Sequence, residues 1–108
     1  MYARNVKLNL KANSAAEFTK ILETSVLPIL RKQAGFKDEL SFVAANGTDV
    51  VAISMWDTKD NADRYGRETY RSVLTRLEAV VAGTPTVTNF EVSNSTFHHI
   101  AAGIAASV

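Results

Sequence analysis

No cysteine occurs in the 108 residues, which excludes disulfides, thiolate metal sites and cysteine nucleophiles together and permits a reducing cytoplasm. Neither sign of charge dominates. Twelve basic against 11 acidic side chains leave a formal net charge of +1, so nothing advertises an affinity for nucleic acid or for an anionic membrane. No apolar run is long enough to cross a bilayer, and Met1-Tyr2-Ala3-Arg4-Asn5 lacks the apolar core of a signal peptide. Glycine-rich phosphate loops and a Gly-x-Ser-x-Gly nucleophile elbow are likewise missing. What remains is 46% hydrophobic and 21% charged, the balance of a soluble, cytoplasmic domain of common size.

The segment from Val50 to Tyr65 organises the rest. Val50, Val51, Ala52 and Ile53 form an apolar, β-branched run that reads as a buried strand ending at the single tryptophan, Trp56. Asp57 or Thr58 then supplies a helix cap. Upstream, Tyr2, Arg4, Val6, Leu8 and Leu10 alternate with polar neighbours, the period of a strand with one apolar face on which Arg4 is the exception. Ser14 and Glu17 fit a capping box ahead of a helical stripe of Phe18, Ile21, Leu22, Val26, Ile29 and Leu30. Pro28 inside that helix predicts a kink near Ser25 or a restart at Pro28, and Gly35 is placed to end it in a left-handed conformation.

Residues 36–46 and 49–57 predict a hairpin about Asn46-Gly47. Phe36, Leu40, Phe42 and Ala44 share one side of its first strand; Lys37, Glu39 and Ser41 form the wet side. A short polar helix follows Thr58 and reaches Tyr65, with a bend predicted at Gly66. A second helical stripe runs through Tyr70, Val73, Leu74, Leu77, Val80 and Val81 until Gly83 and Pro85 stop it. Val87 to Val92 is a fourth strand. Asp57, Asp60 and Asp63, without a paired base, read as capping and solubility.

This order is the ferredoxin-like βαββαβ plan, an α+β fold with a four-stranded antiparallel sheet. Right-handed crossovers put the first and third strands in the middle and both helical regions on one face. The opposite face lies open with side chains of the apolar third strand on it. A homodimer stacking two sheets is therefore expected, although Asn5, Lys7 and Asn9 make part of that surface polar. The domain is expected to span 1–93, with 94–108 a C-terminal extension. His98-His99 is the one close pair of potential metal ligands. Adjacent residues on a strand point opposite ways and a third ligand is missing, so no metal site is expected.

With this topology the chain resembles the dimeric α+β barrel superfamily, and within it the antibiotic-biosynthesis monooxygenase-like domains. Ala34-Gly35-Phe36, Asn46-Gly47 and Ser54-Met55-Trp56-Asp57-Thr58 leading to Ala62 carry the resemblance, which covers residues 2 to 92 as a pattern. It implies a homodimer with a pocket between helices and sheet in each subunit. The cofactor-independent monooxygenases of this superfamily oxidise electron-rich polycyclic phenols. This chain is similar to them at Trp56, whereas their asparagine falls on Ala52 and their tyrosine on Ala62. For the haem-degrading members the resemblance puts their asparagine on Val6, their tryptophan on Tyr65 and their axial histidine on Thr75, which leaves haem iron without a protein ligand. No cofactor is implied.

The start of the first strand lies beside the end of the third, which brings Arg4 towards Trp56, with Tyr65 just beyond. Arg4, Trp56 and Tyr65 are the candidates for holding a small aromatic molecule that bears an acidic hydroxyl or carboxylate. Each also has a plainer reading: Trp56 as core, Arg4 as a snorkelling cation. On an ideal helix Tyr65 and Tyr70 stand about 140° apart, so Tyr70 is expected to pack elsewhere. No catalytic residue is singled out. Three functions stay open: a cofactor-independent oxygenase, a non-catalytic binding or dimerisation module, and a haem-handling protein.

Overall fold

The computed structural model describes residues 1–97. Strand β1 (Tyr2–Leu10) leads into α1 (Ala15–Ile21), a π-helical turn over Leu22–Val26 and α2 (Leu27–Arg31). The hairpin β2 (Phe36–Val43) and β3 (Asp49–Trp56) follows, then α3 (Lys59–Glu68), α4 (Tyr70–Leu77) and β4 (Val81–Glu91). The sheet order is β2-β3-β1-β4, and every pairing is antiparallel. This is the anticipated ferredoxin-like α+β plan, with β1 and β3 central. One face of the sheet is covered by helices, and Phe18, Val26 and Trp56 are the largest fully buried side chains beneath them. Among the described residues no helix is long and apolar enough to cross a membrane.

Several local expectations are corrected. Ser14 stands at the helix N-cap, but its Oγ donates back to the Ala12 carbonyl at 3.3 Å and makes no side-chain cap, so the capping box with Glu17 does not form. Asn13, at φ 59, turns the chain into the helix instead. Pro28 sits in the first turn of α2, where its missing N–H costs nothing, and the wide π turn absorbs the break ahead of it. Helix α2 ends at Arg31. Gly35, at φ 81, belongs to the turn into β2, where an added Cβ would collide with Asp57 Oδ1. Of the two candidate caps, Thr58 serves: its Oγ1 accepts from Asn61 N at 3.2 Å. Asp57 instead accepts from Asn61 Nδ2 at 2.9 Å, and Asp63 pairs with Lys59 at 2.7 Å on an exposed helix face.

Three further departures shape the site. The second helical stripe stops at Leu77, and Val81 begins β4, which holds both Gly83 and Pro85. An edge strand tolerates a missing N–H, and the β1–β4 register slips between Lys7 and Asn9, opposite that stretch. The helical break falls at Thr69 rather than at Gly66, which lies inside α3. Finally, the register between β2 and β3 shifts between Phe36 and Asp38. A bulge residue reverses the facing of everything after it. Glu39 and Ser41 therefore turn towards the helices, while Leu40 and Phe42, 53% and 56% exposed, stand on the open face. The tail readings at His98-His99 and Ile100–Ala106 lie outside the described residues.

Candidate functional site

The site grows from one row across the sheet. The registers place Arg4 opposite Ser54 on β3, and Ser54 opposite Glu39 on β2. All three belong to the parity that faces the helices. Arg4 is only 6% exposed, which is rare for a cation without a partner. Among the described residues no carboxylate lies within ion-pair distance of it, and its Nε is buried without a hydrogen-bond acceptor. Two rings flank it instead. The guanidinium carbon lies 5.2 Å from the centre of the Tyr65 ring and 4.8 Å from that of Tyr70. Each such contact is worth about 0.5–2 kcal/mol, less than the several kcal/mol needed to strip water from a charge. The protein therefore holds a positive charge that an incoming anion can still complete.

Gly66 makes this placement possible. An added Cβ there would stand 2.5 Å from Arg4 Nη1, so only a glycine lets α3 pass so close to the guanidinium. The break at Thr69 does the rest: it redirects α4 so that Tyr70 meets Tyr65, ring centres 6.2 Å apart, over the same cation. The expectation that Tyr70 packs elsewhere assumed one continuous helix and is corrected. The Tyr70 hydroxyl is buried without a partner.

These groups share a cavity between helices and sheet. Arg4, Glu39, Ser54, Tyr65 and Tyr70 line its polar end; Phe18, Leu22, Val26, Leu30 and Leu77 are among the apolar side chains of the rest. The unfilled space, mouth included, is ≈ 520 Å³, while the room left for water centres is ≈ 50 Å³. One water requires about 10–15 Å³ by the latter measure, so the cavity is a narrow slot, tight for a multi-ring ligand until side chains move. Burial pushes the Tyr65 hydroxyl far above its ordinary 10, with Arg4 opposing, and raises Tyr70 for the same reason. Burial also raises Glu39 above 4.5, against the hydrogen bond from Ser41, whose Oγ donates to Glu39 Oε2 at 2.5 Å.

Of the residues singled out from the sequence, Arg4 and Tyr65 come together at this cavity. Trp56 does not line it. Fully buried, it stacks on Tyr65 at 4.9 Å and 29°, meets Phe36 edge-on at 5.6 Å, and donates from Nε1 to Ser54 Oγ at 2.9 Å. Its contact with the site is through Tyr65 and Ser54. Tyr70 and Glu39 were missed. The Thr69 break carries no proline or glycine, but the β2 bulge left a trace: only a slipped register lets Leu40 and Phe42 join the apolar open face. Among the described residues no group of three or more His, Asp or Glu is placed to hold a metal ion.

No protein-family profile matches the chain, and no curated protein matches it. Solved structures do. A monooxygenase from the gene ActVA-Orf6 of Streptomyces coelicolor, solved with the ligand nanaomycin D, superposes with a TM-score of 0.73 at 15% identity, covering 87% of this chain and 88% of that one. SnoaB of Streptomyces nogalater, a cofactor-independent oxygenase, gives 0.69 at 18% identity over 88% and 96%. A Bordetella bronchiseptica protein with a proposed assignment as an antibiotic biosynthesis monooxygenase gives 0.72 at 13% over 84% and 95%. At such identities the likeness speaks for the fold. The chain has the ferredoxin-like α+β fold of the antibiotic biosynthesis monooxygenase-like proteins.

Proposed function

We propose that this protein is a cofactor-independent monooxygenase-like protein that binds a small aromatic, quinol-type molecule in the slot beside Arg4, Tyr65 and Tyr70. The observation that carries this reading is the buried guanidinium, unpaired and flanked by two aromatic rings at the end of an apolar cavity. A flat phenol fits such a place when it ionises: its body lies against the rings and its oxyanion faces the cation. Trp56 contributes by stacking on Tyr65 and donating a hydrogen bond to Ser54. The ligand in the Streptomyces coelicolor monooxygenase supports the class of molecule.

The chemistry needs no resident group. An electron-rich aromatic anion passes an electron to O2, and the pair recombines at carbon. For a ring methylene the balance is CH2 plus O2 giving C=O plus H2O. The protein's task is to favour the anion and keep water from the intermediate, which Arg4 and the apolar wall perform respectively.

The same reading includes a homodimer, with the cytoplasm as its setting. Leu40, Phe42 and Phe90 are each more than half exposed on the open sheet face, and Val51, Ile53 and Met55 share it. An apolar patch of that kind marks an association surface. Asn5 Oδ1, buried there without a donor, is left for a partner to satisfy.

Oxygen uptake with anthrone or naphthol-type substrates tests the reaction. We expect turnover in the intact protein and a fall of at least tenfold in Arg4→Met, which keeps the apolar stem. Uptake equal in both removes Arg4 from the site. A second reading, a non-catalytic binding module, draws on the narrowness of the slot; saturable binding of the same aromatics without oxygen uptake selects it.

A further inference from the structure

We propose that Glu39 is the proton acceptor of this pocket: it takes the phenolic proton of the bound aromatic while Arg4 faces the oxyanion left behind. The proposal rests on the aromatic-binding reading above and adds the group that creates the anion.

Its basis is the register. Without the β2 bulge Glu39 would be a solvent-facing residue of an edge strand; with it, Glu39 lines the same cavity as Arg4. The two are separated by Ser54, two strand spacings or about 10 Å between backbones. Both are long side chains, yet among the described residues they form no ion pair. A base and a cation thus line one largely apolar void without pairing with each other, and a hydroxyl bound between them is the group that would engage both. Ser41 Oγ donates to Glu39 Oε2 and so orients the carboxylate. No described residue donates to Oε1, which is left for the ligand.

The alternatives within the cavity do not serve. The titratable groups facing Glu39 are Arg4 from β1, Tyr65 from α3 and Tyr70 from α4; the remaining lining is apolar apart from Ser54. Arg4 offers N–H donors and no acceptor. Burial strengthens the hold of both tyrosines on their protons. Glu39 is the one carboxylate of the lining, and burial raises its proton affinity towards that of a phenol, which lessens the cost of the transfer. In the step, the phenol O–H bond breaks, the proton goes to Glu39 Oε1 and the electron pair stays on the ligand oxygen. The total charge of the site is unchanged, so no proton passes to solvent.

That bookkeeping is measurable with 1-naphthol, neutral at pH 8 because phenolic hydroxyls ionise near 10. Absorbance reports bound naphtholate, and calorimetry in two buffers of different ionisation heat counts protons released. We expect the wild-type protein to bind naphtholate with close to zero protons released per ligand. Glu39→Gln, nearly isosteric and unable to accept the proton, should either release about one proton per naphtholate or bind naphthol in its neutral form. A wild-type release of about one proton per bound naphtholate, binding of neutral naphthol by wild type, or proton counts and spectra unchanged in Glu39→Gln overturns the role of Glu39 while leaving the pocket standing. No uptake of naphthol by wild type overturns the aromatic-binding reading, and this inference with it. Should the variant not fold, the wild-type proton count decides alone.

Discussion

Replacing Gly66 by alanine reverses sign with the residue at position 4. In an ordinary helix interior the change stabilises by about 0.5–1 kcal/mol, because glycine loses more backbone freedom on folding. Position 66 lies within α3, so that gain applies. Against it stands the new methyl, 2.5 Å from Arg4 Nη1 and 3.4 Å from the guanidinium carbon. A guanidinium is the far end of a flexible chain and would yield cheaply in solvent. Here it is held against two rings with the residue only 6% exposed. Moving it off both sacrifices two contacts of about 0.5–2 kcal/mol each. The loss exceeds the helical gain, so Gly66→Ala should destabilise the wild-type protein by about 1–2 kcal/mol. In an Arg4→Met background the obstacle is absent, and the same change should stabilise by about 0.5–1 kcal/mol. Urea melts of the four proteins measure the coupling directly, expected at about 1.5–3 kcal/mol. Equal effects of Gly66→Ala in both backgrounds would mean that the guanidinium does not occupy the space beside α3, and the description of the site would fall with it.

Tyr70→Phe removes a buried hydroxyl that has no partner, so stability should stay level or rise by up to about 1 kcal/mol while naphthol affinity drops; a loss above about 1 kcal/mol shows that the hydroxyl is satisfied in the free protein. Glu39 gives stability a pH slope of known sign. Its folded value lies above 4.5, so the folded state holds the proton more tightly; the favourable contribution is complete below 4.5 and is lost as pH rises through the raised value. Thermal midpoints measured across that range should fall with pH in wild type and fall less in Glu39→Gln; identical slopes refute a buried carboxyl. On the open face, Leu40→Glu with Phe42→Glu should convert a dimer to a monomer by light scattering at micromolar concentration, and unchanged mass places the interface elsewhere.

The fold was legible because its signals were long and redundant: the alternation in 2–10, the apolar run 50–56 and two helical stripes each constrain the others. Arg4 was legible as an anomaly, a cation on an apolar parity. Trp56 was legible as important but not as to its task, since composition cannot distinguish a ring that lines a cavity from one that supports the ring that does. Gly66 serves a different purpose from the one its residue type suggests. Its flexibility suggested a bend, whereas its use is close approach, which depends on a side chain sixty-odd positions earlier in the chain.

Tyr70 and Glu39 were hidden by a shared physical cause. Periodicity arguments propagate facing along an element on the assumption that it continues undisturbed. One extra residue near Lys37 inverts the facing of Glu39, and one helical break at Thr69 turns Tyr70 back over Arg4. Neither irregularity is needed to close the sheet or bury the core, and each leaves a polar group inside an otherwise apolar cavity at a cost in stability. Both deliver that group to the same cation. Two independent costs converging on one place are better explained by a ligand that completes Arg4, Glu39 and Tyr70 together than by packing alone. The corresponding test is structural: deleting Lys37 should close the β2–β3 ladder with Glu39 still opposite Ser54, so the facing of Glu39 and naphtholate binding should both survive the loss of the bulge. Binding lost in a folded deletion variant would show that the facing of Glu39 is not what the site requires of β2.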